Sequence, residues 1–136
     1  MNRFILCLFA LPAVAFAQSA RIPANSTAYI EPVTLEPGRG FENYLLAAFQ
    51  KVRVPLTVVT ERSGAGYLIR STVNASAYTG SRGYSTSLVS VSILIVDPKS
   101  SPVFSYATGS YDVSEMKYVA EECAKHIKKF TEKPKK

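Results

Sequence analysis

Residues 41–52 constrain the fold more than any other stretch of this 136-residue chain. Their apolar members Phe41, Tyr44, Leu45, Ala48, Phe49 and Val52 recur at i, i+3, i+4, i+7, i+8 and i+11, which stacks them into one stripe on a helix. Glu42, Asn43, Gln50, Lys51 and Arg53 fall on the other side. Pro55 stops the helix, because it biases Val54 out of the α region. The β-branched run that follows, residues 56–60, reads as a strand, and so does the stretch around Ala28, Tyr29 and Ile30 upstream. A helix with one apolar stripe, set between two strands, needs a sheet to lie on.

The rest of the chain supplies that sheet. Residues 67–78 alternate: Tyr67, Ile69, Ser71, Val73, Ala75 and Ala77 share one face, and Leu68, Arg70, Thr72, Asn74, Ser76 and Tyr78 share the other. A half-wet pattern of this kind suits an antiparallel sheet with one solvated face. A hairpin over residues 79–83 leads to the strongest strand, residues 84–97, where Val89, Val91, Ile93 and Ile95 alternate with Ser90, Ser92 and Leu94. A turn at Asp97-Pro98 precedes a shorter strand over residues 103–111. Ser114 is the expected N-cap of a second helix, with Glu115 in its first turn. There Met116, Val119, Ala120, Cys123, Ala124, Ile127 and Phe130 form a second stripe.

The expected fold is therefore α+β. It is a single mixed sheet with elements in the order β-α-β-β-β-α plus an extra hairpin strand, and both helices are packed on one face. The first two strands, joined through a helix, should be parallel, and the expected strand order is 2-1-3-4-5. The uncovered face would present Arg70, Thr72, Asn74, Ser90 and Ser92 to water or to a partner.

The amino terminus reads as an address. Arg3 supplies a positive start, residues 4–11 an apolar core, and Ala15-Phe16-Ala17 a small-x-small cleavage site before Gln18. Apolar character ends at Ala17, short of the roughly 20 residues a spanning helix needs. The expected organisation is a signal peptide over 1–17, a flexible lead-in over 18–26, one domain over 27–131 and a basic tail over 132–136. The protein would be exported, periplasmic or secreted. Cleavage would remove Cys7 and leave Cys123, which lies on the apolar side of its helix and should pack as a small buried hydrophobe.

Charge is uneven. The last twenty residues carry seven lysines and three glutamates, a net +4 of the chain's +6. That pattern is a basic tail, not a nucleic-acid groove, and no nucleic-acid partner is expected. The tail, with Lys133, Lys135 and Lys136, is either solvated or an electrostatic contact with an anionic membrane or glycan surface.

Catalytic constellations are missing from the sequence. There is one histidine, His126, no G-x-S-x-G, no H-E-x-x-H and no C-x-x-C. No catalytic, cofactor-binding or metal-ligating residue is assigned, and no cofactor is expected; a hydrolase using His126 is the least favoured alternative. Tyr78, Arg82 and Tyr84 cluster around the Gly/Ser-rich hairpin, with a composition suited to partner contact. Strand-end tyrosines flanking a loose turn are the plainer explanation of the same residues.

Taken together, Ala28-Tyr29-Ile30-Glu31-Pro32, the helix from Phe41 to Phe49, Ala65-Gly66-Tyr67-Leu68-Ile69-Arg70-Ser71-Thr72 and Leu94-Ile95-Val96-Asp97 resemble a known pattern. It is that of small bacterial envelope proteins built like the amino-terminal domain of TolB and the related curli-secretion and penicillin-binding-protein-activator lipoproteins. The chain departs from that pattern at Gly66, where the family usually has Asp, at Ser71, where it usually has Gly, and in lacking the lipid-bearing cysteine. The resemblance implies a non-enzymatic binding or assembly module of the cell envelope whose partner is another envelope protein.

Overall fold

The computed structural model describes residues 21–79, 83 and 85–133. Among them the strands β1 (Ser26–Ile30), β2 (Leu56–Val58), β3 (Tyr67–Thr79), β4 (Ser85–Val96), β5 (Pro102–Ala107) and β6 (Tyr111–Asp112) form one mixed sheet in the order β2-β1-β3-β4-β5, with β6 also on β4. Helix α1 (Phe41–Val52) joins β1 to β2, and α2 (Met116–Phe130) follows β6. β1 is parallel to both β2 and β3, while β4 is antiparallel to β3, β5 and β6. The architecture is the expected α+β one.

Register explains the burial. Ile69 lies opposite Ile95, Ser71 opposite Ile93, Val73 opposite Val91 and Ala75 opposite Val89. Directly paired residues share a face, so one face of the two long strands is apolar. It meets the stripes of α1 (Phe41, Leu45, Ala48, Phe49) and α2 (Met116, Val119, Ala120, Cys123, Ala124, Ile127), all buried. Gly40 (φ 82) enters α1 in the left-handed conformation that glycine adopts without a steric penalty. The loop before it is held down by Glu42, whose carboxylate accepts the Val33 N–H at 2.9 Å. Gly38 lies so close to β3 that an added Cβ would sit 2.4 Å from Val73 Cγ2.

Several local expectations change. Tyr44, counted in the α1 stripe, is 47% exposed, because its position falls at the stripe's margin. The strand expected over 103–111 is two. Thr108 N–H donates to the Val91 carbonyl while Thr108 Oγ1 accepts the Val91 N–H at 2.9 Å, so a side chain takes over the ladder and the backbone leaves it until Tyr111. Ser114 does not cap α2. It lies in a 3-10 turn (Val113–Glu115) capped by Asp112, whose Oδ1 accepts both the Ser114 N–H at 2.9 Å and its hydroxyl at 2.8 Å. From residue 22 onward the expected flexible lead-in is held. Ile22 is buried and forms a parallel bridge with Thr131, and Asn25 N–H donates to the Pro55 carbonyl at 2.8 Å.

Candidate functional site

The helices cover one face of the sheet, and no described element covers the other. Across β1, β3 and β4 the first row of this face is Tyr29 and Leu68, both half-buried, with Val96, which is 2% exposed. Arg70, Leu94 and Ser105 form the next row, then Thr72, Ser92 and Ala107, then Asn74 and Ser90. The face thus grades from apolar to hydroxyl-rich along the strands. At its apolar end Glu31 accepts from Arg70, with Nε 3.2 Å from Oε2, and pairs with Arg62 at 3.6 Å. Opposite charges at this spacing fix side-chain orientation more than they stabilise, because solvent screens them.

β3 and β4 run past the helix layer. Ile69 and Val89 are buried, whereas Ala75 and Ala77 on the same face as Ile69 are exposed. The far end of this ribbon carries Thr72, Asn74, Ser76 and Ser87, all exposed. Tyr78 belongs to β3, so its backbone stands at the ribbon's tip; Arg82 and Tyr84 lie outside the described residues, as do the cleavage-site residues Ala15, Ala17 and Gln18 and the tail lysines Lys135 and Lys136. Lys133 lines a cleft at the carboxyl-terminal ends of the two helices.

The departure at Gly66 has a structural reason. Its N–H donates to Thr27 Oγ1 at 2.8 Å, and a Cβ there would come within 3.2 Å of the Thr27 carbonyl oxygen. The β3 entrance is therefore pressed against β1, where a larger residue would need the backbone to move.

Two titratable groups on the helix side, His126 and Cys123, are engaged in packing. His126 stacks on Tyr106, with ring centroids 4.0 Å apart. Cys123 is fully buried beneath this pair's helix, and burial, helped by the Glu122 charge, pushes its thiol up to about 12. Such a thiol stays protonated and is a poor nucleophile at neutral pH. Burial also raises Tyr106. Among the described residues no three His, Cys, Asp or Glu side chains converge as metal ligands, and no helix is long and apolar enough to cross a membrane.

No protein-family model matches the chain, and no curated protein matches it. Solved structures do. The PelC dodecamer from Paraburkholderia phytofirmans is 16% identical, with a TM-score of 0.56 over 84% of this chain and 93% of that one. A substituted form of the same dodecamer gives 17% identity and a TM-score of 0.54, over 80% of this chain and 90% of its own. A minor lipoprotein from Acinetobacter baumannii is 14% identical, covering 76% of this chain and 88% of its own, with a TM-score of 0.47. At these identities the likeness is one of fold: the chain is built as the PelC subunit is.

Proposed function

We propose that this chain is an exported, non-enzymatic binding or assembly module of the bacterial cell envelope, and that it meets its partner through the open face of the sheet. The observation that carries this reading is the asymmetry of one pair of strands. β3 and β4 bury Ile69, Val89, Val91, Ile93 and Ile95 under the helices, and their other face, from Arg70 and Leu94 to Asn74 and Ser90, has no described element over it. An uncovered sheet face with aromatic and aliphatic residues beside adaptable Ser, Thr and Asn has the makeup of a contact surface. The PelC likeness supports assembly as the task, since that subunit of the same fold forms a dodecamer. The resemblance carried by Ala28–Pro32, the helix from Phe41 to Phe49 and the strand from Tyr67 supports the envelope as the place.

Site-specific photocrosslinking in exporting cells tests this. A crosslinker at Ser92, on the open face, should trap a defined envelope protein or a second copy of the chain. The same group at Lys117, on the solvent side of α2, should trap little. Equal yields from both positions, or a monomer recovered free in the medium, would reject the reading.

A further inference from the structure

A second surface has nothing to do with the sheet's open face. At the carboxyl-terminal ends of α1 and α2 a cleft of about 400 Å³ is lined by Arg21, Arg53, Lys128, Lys129 and Lys133. That volume falls within the ~300–1,000 Å³ range of small-molecule sites. The five cations come from three segments: the chain's entry into the fold, the α1-to-β2 turn, and the end of α2 with the residues after it. Pro55 and Thr131 complete the lining, and Thr131 is buried, with its hydroxyl donating to the Ile127 carbonyl at 2.8 Å. Among the described residues no carboxylate lines the cleft.

Helix ends explain only part of this charge. Cations favour the carboxyl-terminal end of a helix, and Lys128 does that work directly, donating from Nζ to the Val52 carbonyl at 2.7 Å. Each helix end carries roughly half a negative charge, so two ends offset about one of five cations. Arg21 and Lys133 lie outside both helices. Among the described residues the ion pairs engage Lys51, Arg62, Arg70 and Lys125, and none of the five cleft cations. Arg53 also holds the left-handed conformation, φ 59 and ψ 58, where glycine or asparagine is the usual solution. An arginine there places a long cation at the cleft's rim.

We infer that this cleft binds the phosphate-bearing headgroup of an anionic phospholipid at a membrane surface. The charge calls for an anion, and the methylene stems of the cations with the Pro55 ring suit the glycerol part of a lipid head. The source is indicated by where the chain runs. The apolar amino-terminal stretch ends at Ala17, four residues before Arg21, which is no more than ~14 Å of extended chain. Once the domain has folded and before cleavage, a bilayer that holds that stretch lies within reach of the cleft. Lys135 and Lys136, just after Lys133, add to the same pole of the sequence. This inference does not depend on a protein partner for the sheet.

Co-sedimentation of the protein purified from exporting cells, with vesicles of phosphatidylcholine alone or mixed with phosphatidylglycerol, tests it. Binding should require phosphatidylglycerol and weaken as salt rises. Each cation near an anionic surface is worth roughly fivefold in affinity. The triple variant Arg53→Gln, Lys129→Gln, Lys133→Gln should therefore bind more than about tenfold more weakly. A control that removes the same charge elsewhere, Arg39→Gln, Lys99→Gln, Lys117→Gln, should lose much less. Lys129→Glu alone, a single change at an exposed position, should weaken binding more than Lys117→Glu and guards against a triple variant that folds poorly. Equal losses in cleft and control variants, or no preference for phosphatidylglycerol, would overturn the inference. Saturable binding of inorganic phosphate that the triple variant abolishes, with no sedimentation on phosphatidylglycerol vesicles, would also overturn it, in favour of a soluble phosphate ligand.

Discussion

β4 shows two regimes one residue apart. Val89, Val91, Ile93 and Ile95 are at most 1% exposed under the helices, while Ser92 and Leu94, between them, belong to the open face. The strand contributes to stability through one side and leaves the other free to vary for contact. On the function proposed above, stability and recognition are separated by the thickness of a sheet.

The largest effect that separates the faces should come from the covered side. Phe49→Ala should cost about 3–5 kcal/mol and Ile93→Ala about 2–5 kcal/mol in denaturant unfolding, from lost transfer energy and the cavity left behind. A small effect of either would mean that the helices do not seal this face. Next, Gly38→Ala should destabilise by about 1–3 kcal/mol, because its Cβ meets the Val73 side chain and the loop over the end of β3 must lift. Full retention of stability would show that this loop is loosely held.

The dryness of the covered side can be read by pH. The Cys123 thiol ionises near 9.0 when unfolded and at about 12 when folded. The folded state therefore keeps a proton that the unfolded state loses. The contribution is complete below pH 9 and declines from there toward pH 12, by roughly 1 kcal/mol at pH 10. The difference between wild type and Cys123→Ala in unfolding at pH 8 and pH 10 isolates it from other titrations. The native thiol should also resist thiol reagents; fast labelling would place water beneath α2. Smallest of all, Ser92→Ala should change stability by no more than about 0.5 kcal/mol, as exposed substitutions usually do. A larger loss would mean that something in the protein itself covers the open face.

Much of this division was legible in the sequence because it rests on short-range periodicity. The α1 boundaries follow from an unbroken stripe between Gly40 and Pro55, and the long strands follow from strict alternation in residues 67–78 and 89–95. The rest depends on partners distant in the chain. Nothing near Ile22 says that it will dock against Thr131. The substitution of the Thr108 side chain for backbone needs Val91 in place, and Asp112 outcompetes Ser114 as a cap because the two-residue β6 positions it. The basic cleft was hidden for the same reason. Lys133 was visible as part of a tail, but Arg21 and Arg53 are separated from it by most of the chain and meet it only in three dimensions.

The Ile22–Thr131 bridge bears on when the protein becomes itself. Glu132 N–H donates to the Ile22 carbonyl at 2.8 Å, so two residues far apart in the chain hold each other. The sheet has the same habit, since β1 lies between β2 and β3 and the core is completed only by α2. A chain delivered from its amino end has no finished core to close until nearly its whole length has emerged, and non-local contacts of this kind form late. The step that completes the fold is therefore the docking of α2 and of the segment that reaches Ile22.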